Sequence, residues 1–212
     1  MNSRTIKLNE PDRTRGLPVM QALAVRASVN DWSAEELSLQ DLSDLLWAAF
    51  GFNRPDLGKR TAPSALNSQD IDLYVFRRDA VYLYDAQAHT LKEVVSGDYR
   101  SLFFPPLSSI PGAAGKLPIS SPQPPGEQTM PPVIILLVSD LSRFPFGDDN
   151  FRTEVSLIDT GLVSENISIF CAAVGLGTRP RGNMERQKIR VLLRLKETQF
   201  PRLNHPVGYK KS

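Results

Sequence analysis

The chain has 212 residues and a mass of 23.6 kDa, 41% hydrophobic and 23% charged, proportions that suit one folded domain with a short appendage and exclude global disorder. Lysine and arginine number 25 against 23 aspartates and glutamates, a formal net charge of +2, which excludes the strong basic excess of a dedicated nucleic-acid binder. One cysteine, Cys171, and two distant histidines, His89 and His205, exclude a disulfide framework and leave little from which to build a zinc site.

In chain order, residues 1–16 are rich in Arg, Asp, Asn and Thr and end at Gly16, which predicts an extended arm ahead of a domain over 17–212. Their polar character shows no secretory signal, so a cytoplasmic location is expected. Pro18 suits the first turn of a helix, Met20, Leu23 and Ala24 share one helical face, and Asn30 and Asp31 favour the turn after it. The clearest local prediction is a second helix. Ser38 is a good N-cap, Leu42, Leu45, Leu46 and Ala49 follow at helical spacing, and Gly51 stops it.

Polar residues and turn formers make 53–67 a loop, after which Asp70–Arg77 and Ala80–Asp85 alternate as a β-hairpin. Thr90–Val95 suits a further short strand or turn. Nine of the 17 prolines fall in 105–132, a density that forbids regular structure and predicts a long loop. Val133–Ser139 is continuously apolar and branched, as in a buried central strand. The unbroken apolar runs, such as Val133–Val138, are far short of the ~20 residues a transmembrane helix needs, so no membrane span is expected. Thr153–Val174 predicts a long helix, apolar around most of its second half and therefore buried in a domain or between subunits. Gly175 and Gly177 end it, Asn183 is placed to cap a last helix through Leu193, and Gln199–Lys210 is extended. The sum is an α+β domain.

Two motif-like stretches fail on spacing. Gly51 and Gly58-Lys59-Arg60-Thr61 have glycines seven apart and no preceding strand, so they form no Walker loop. Gly175-Leu-Gly177 with Gly182 follows a helix, which excludes a dinucleotide fingerprint. Cys171 lies on an apolar helix face without a base nearby, and His89 and His205 stand in loop-like contexts. Asp159 and Glu165 have no carboxylate partner that the sequence can place. What remains is a set of cations and turn donors without an acid–base pair: Arg26, the stretch 60–69, Gly175–Gly182, Lys210 and Lys211. Such a set suits a phosphorylated organic cofactor that carries the chemistry itself.

At these residues the sequence resembles the nitroreductase-like flavin-dependent oxidoreductases, especially the SagB-type dehydrogenase and nitroreductase subgroup. Met20–Ser28 is similar to the family's early Arg-x-Ser motif, and Leu42–Gly51 with Gly58–Gln69 resembles its most diagnostic block. Asp159-Thr-Gly, Asn166 and Cys171–Thr178 resemble the central helix and its exit, and Pro206–Lys210 the closing segment. The resemblance implies a small central, antiparallel-rich sheet flanked by helices, in a homodimer with a long buried helix and two interfacial FMN sites. It places Arg26 and Ser28, with Ala27 between them, at the phosphate or ribityl end, where Lys210 or Lys211 closes on the phosphate. Pro63, Ser64, Ala65 and Asn67 reach the flavin of the other subunit, and Arg181 and Gly182 lie beside the isoalloxazine. The family usually has Arg or Lys where this chain has Asn30, near the pyrimidine edge, which implies a less stabilised reduced ring. The implied activity is ping-pong hydride transfer from NAD(P)H through FMN to a nitroaromatic, quinone or similar acceptor, with no catalytic side chain. Azoline oxidation of a modified peptide and a non-catalytic flavin-binding module are the alternatives. Neither nucleic acid nor membrane is an expected partner.

Overall fold

The structure, a computed structural model, describes residues 4–105 and 129–211, so most of the proline-rich loop expected at 105–132 lies outside the described residues. In chain order the elements are β1 (Thr5–Lys7), α1 (Val19–Val25), α2 (Leu39–Phe50), β2 (Phe52–Arg54), β3 (Lys59–Arg60), β4 (Ile71–Phe76), β5 (Ala80–Asp85), β6 (Thr90–Ser96), β7 (Val133–Asp140), α3 (Asp149–Val174), β8 (Leu176–Thr178), α4 (Arg186–Leu192) and β9 (Gln199–Tyr209). Seven strands form one antiparallel sheet in the order β1-β6-β5-β4-β7-β9-β8. It is larger than the small sheet expected, because the three-residue segments Thr5–Lys7 and Leu176–Thr178 supply its two edges. β2 and β3 pair separately inside the stretch expected to be loop.

The unbroken apolar character of β7 follows from its place between β4 and β9 with both faces covered. Val133, Ile135 and Leu137 join Leu42, Leu45, Leu46 and Ile167 on the face of α2 and α3. Ile134, Leu136 and Val138 join Phe76, Phe103, Ile189 and Leu193 on the face of α4. Each such buried aliphatic side chain contributes roughly 1.5–3 kcal/mol relative to exposure.

α2 begins where expected: the Ser38 hydroxyl oxygen accepts the Asp41 amide at 3.0 Å. The amino-terminal residues, expected as an arm, are tied to their own chain. β1 pairs with β6, and Arg15 donates to Asp41 at 2.7 Å and to Asp44 at 2.8 Å.

Within one chain, α1 and α3 leave part of their apolar surface uncovered. On α1 only Ala22 is buried, while Met20 is 74% and Leu23 49% exposed. α3 buries Ile167, Cys171 and Ala172 of its second half, while its first half turns Ser156, Asp159, Thr160 and Ser164 inward and exposes Leu157, Ile158 and Leu162. By length and composition alone it is apolar enough to cross a membrane, a property the unbroken apolar runs of the sequence did not show and one that core helices share. Here it packs against α1, α2 and the sheet. The last helix starts three residues after Asn183, whose carbonyl instead accepts from the Asn204 side chain.

Candidate functional site

The first group of candidate residues is built where α3 leaves the core. Gly175 takes the left-handed conformation (φ 81°) that turns the helix into edge strand β8. A Cβ on Gly177 would lie 2.9 Å from Val29 Cγ1, so glycine lets the segment 26–33 lie directly on β8. The Val29 amide donates to Thr178 O, the Ser33 amide to Tyr209 O and the Trp32 indole to Gly177 O, each at 3.0 Å. Ser28 bridges Thr178, and Trp32 bridges Lys210. Arg26, Ala27 and Ser28 are exposed, Asn30 is half-buried, and Lys210 and Lys211 run exposed along the neighbouring chain.

Two guanidiniums join this edge from the turn after β8. Arg179 Nη1 donates to Asn30 Oδ1. Arg181 pairs its backbone with Asn204 and lays its guanidinium 4.6 Å from the centre of the Phe104 ring. Burial, followed by the charge of Arg179, pulls the Arg181 pKa down to about 10. Among the described residues Arg26, Arg179, Arg181 and Lys210 have no carboxylate partner, while Lys211 reaches Asp31 at 3.4 Å. Gly182 is exposed and open, a Cβ there meeting only Arg186 Nη2 at 3.9 Å. An edge with four such cations and a single carboxylate, Asp31, has a net excess of donors that is complementary to a phosphate dianion.

Pro63, Ser64, Ala65 and Asn67 form a second group, on a loop anchored elsewhere. The Ala65 amide donates to both oxygens of Asp159, at 2.9 and 3.0 Å. Ser64 Oγ accepts the Gln69 amide at 3.0 Å, and Lys59 Nζ donates to Asn67 Oδ1 at 3.0 Å. Leu66, Asn67 and Gln69 all have positive φ, between 48° and 56°. For leucine that conformation is unfavourable, and it persists because the surrounding bonds over-determine it. Asp159 and Gly175 lie 16 positions apart on one helix and its cap, so the two groups are separated by roughly 24 Å along the axis. One chain does not bring them together.

His205 stands in the middle of β9, fully buried, rather than in a loop. Its Nε2 meets Ser164 Oγ at 2.8 Å and its Nδ1 Thr178 Oγ1 at 3.1 Å, while burial pulls its pKa down to about 3. Cys171 is buried and burial pushes its thiol up, which disfavours the thiolate that a nucleophile needs. Glu165 is exposed, whereas Asp159 does find a carboxyl neighbour, Asp70. Sequence reasoning missed Arg179 and Asp70. The basic pattern Arg179-Pro-Arg181 directly after the glycine turn was the available signal for the first; the second carries none.

The sequence pattern of the Nitroreductase family matches residues 23–209. Among curated proteins, "Putative nitroreductase MJ1384" of Methanocaldococcus jannaschii is 26% identical over 215 residues, covering 97% of this chain and 98% of that protein. Among solved structures, a "putative nitroreductase" of Ralstonia eutropha JMP134 is 32% identical with a TM-score of 0.83, covering 99% of this chain and 90% of that one. A chain of the Escherichia coli microcin synthetase McbBCD complex shares the fold, with a TM-score of 0.68 at 18% identity over 88% of this chain and 69% of that one.

Proposed function

The chain belongs to the nitroreductase family of oxidoreductases, and from that premise we propose that it is an FMN-dependent NAD(P)H oxidoreductase acting on a nitroaromatic, quinone or similar small acceptor by a ping-pong mechanism. The observation that carries this reading is the edge formed by segment 26–33, β8 and the end of β9, where Arg26, Arg179, Arg181 and Lys210 have no carboxylate partner among the described residues and only Lys211 is paired, with Asp31. FMN held there would supply the two-electron chemistry between nicotinamide and acceptor. The residues of this chain bind and orient it. Arg26, Ser28, Lys210 and Lys211 would hold the phosphate, with Ala27 leaving room between the first two. Arg181 and Gly182 would flank the ring.

The second loop completes the site only from another copy of the chain. We therefore read the protein as a homodimer in which Pro63, Ser64, Ala65 and Asn67 face the other subunit's cofactor. Supporting this, α1 and α3 expose Met20, Leu23, Val25, Leu157, Ile158 and Leu162. Light scattering after gel filtration is expected to give twice the chain mass of 23.6 kDa. A monomer would overturn the shared site. Residues 17–212 form the FMN-binding domain in this reading, and a cytoplasmic location, where NAD(P)H is supplied, goes with it.

The direct test is the visible spectrum of protein desalted after incubation with FMN, then mixed anaerobically with NADH or NADPH. Retained flavin absorbance that bleaches is expected. Retained flavin that bleaches with neither nicotinamide would make the protein a binding module, and no retained flavin would overturn the reading.

The structure also adds a guanidinium that the expectation for Asn30 did not include. With Arg179 on the Asn30 amide, a positive charge already stands at that position. Asn30→Arg is therefore expected to leave the flavin midpoint potential nearly unchanged. Arg179→Leu is expected to lower it by about 30 mV, the equivalent of about 1.4 kcal/mol for a two-electron couple. Spectroelectrochemical titration of both variants measures this, and an unmoved potential in Arg179→Leu would remove Arg179 from the site.

A further inference from the structure

Two carboxyls that the proposed reaction does not use meet beneath the loop carrying Pro63, Ser64, Ala65 and Asn67. Asp70, immediately before β4, is fully buried, and Asp159 on α3 is 2% exposed. Asp159 accepts the Ala65 amide on both oxygens, and its carboxyl stands close enough to that of Asp70 for each to act on the other. Asp70 Oδ1 takes the Ser68 hydroxyl at 3.2 Å, while its Oδ2 is buried with no donor. Ionised carboxylates only accept, so a hydrogen bond between these two requires a proton on one of them. A proton on Asp70 gives the orphaned Oδ2 a role as donor and leaves Asp159 as the acceptor that the Ala65 amide needs.

Among the described residues no cation pairs directly with either carboxyl. Arg202, from β9, spends its guanidinium on Ser139 Oγ at 2.7 Å and Ser156 Oγ at 2.9 Å. Arg143, after β7, holds both oxygens of Asp72 at 2.6 Å. Both arginines feel the Asp70 charge, but neither hydrogen-bonds the pair. Asp140, at the end of β7, donates its amide to the Asp70 carbonyl and turns its own carboxylate to Ser142 and Thr198.

We propose that Asp159 is a positioning residue: with the shared proton on Asp70, its carboxylate clamps the Ala65 amide and holds Pro63–Gln69 in the left-handed geometry that presents the candidate cofactor contacts. The clamp stands on the geometry of this chain alone, whereas its consequence for cofactor binding rests on the function proposed above. Burial and the neighbouring Asp159 push the Asp70 carboxyl up to about 8, so the proton is held at neutral pH and released in alkali. Once it leaves, two buried negative charges face each other without a counter-ion, and the loop loses its anchor.

Hydrogen exchange of the Ala65 amide in the full chain, corrected for the intrinsic pH dependence of exchange, tests the clamp at pH 6.5 and 9.5. Wild-type protection is expected to fall by about tenfold or more between the two, since each pH unit above the folded pKa shifts the proton equilibrium about tenfold. Asp70→Asn, whose amide donates without titrating, is expected to keep the protection at both pH values, and Asp159→Ala to lose it at both. Equal wild-type protection at the two pH values, or the same alkaline loss in Asp70→Asn, would overturn the proposal. FMN titration under the same conditions separates the two readings. The dissociation constant is expected to rise wherever the Ala65 amide loses protection. Lost protection with unchanged FMN affinity would overturn the assignment of the loop to the cofactor and leave the clamp standing.

Discussion

Replacing Trp32 with alanine is expected to lower the unfolding free energy by about 4 kcal/mol, in the range for a large aromatic side chain removed from a packed site, and to abolish flavin retention with it. Trp32 is 2% exposed, donates its indole N–H to Gly177 O and bridges Lys210. A Cβ on Gly208 would stand 3.2 Å from Trp32 Cβ, so β9 passes directly against this residue. The side chain thereby fastens the segment bearing Arg26, Ser28 and Asn30 to both strands that complete the cationic edge. Trp32→Phe retains most of the apolar area and loses one hydrogen bond, for a cost of about 1 kcal/mol, and should bind FMN within a few-fold of wild type. Urea denaturation and FMN titration of the two variants measure both effects. An alanine variant that is destabilised yet binds FMN normally would detach this segment from the cofactor.

Acid is expected to act on His205 and Asp70 in opposite directions. The folded His205 refuses a proton down to about pH 3, while an ordinary histidine accepts one below 6.5. The unfolded chain therefore binds more protons in that window, and stability falls as pH drops through it. Asp70 has the reverse linkage: its folded carboxyl keeps a proton up to about 8, against an ordinary value of 3.8. Stability from that group grows as pH falls from 8 towards 4. Between pH 6.5 and 4.5 each contributes on the order of 2–3 kcal/mol, with opposite sign. These two groups nearly cancel in the wild type. His205→Gln, which cannot charge, is expected to become more stable on acidification relative to wild type by about 2–3 kcal/mol, and Asp70→Asn less stable by a similar amount. Urea unfolding at the two pH values reads this directly. Variant profiles parallel to wild type would show that neither group titrates as its burial demands.

The sequence by itself determined the elements whose signals are local. Ser38 followed by leucines at helical spacing produced α2, because capping and a single apolar stripe act within a few turns. The apolar run from Val133 produced an interior strand, because a strand covered on both faces needs no alternation. The order of the motifs from Arg26 to Lys210 was legible as a family likeness, and the matched range 23–209 agrees with it.

Tertiary structure alone decided the rest. Thr5–Lys7 and Leu176–Thr178 are too short to declare themselves as strands and form because open sheet edges present unpaired backbone groups to them. Met20 and Leu23 share a helical face, yet periodicity does not say whether that face meets this chain's core or another surface. Arg179 reaches Asn30 across 149 positions, and Asp159 meets Asp70 across 89 (159 minus 70). Buried polar pairs of this kind leave no periodic trace, because each is settled by which distant backbone the fold brings alongside and by the cost of leaving a buried donor or acceptor without a partner.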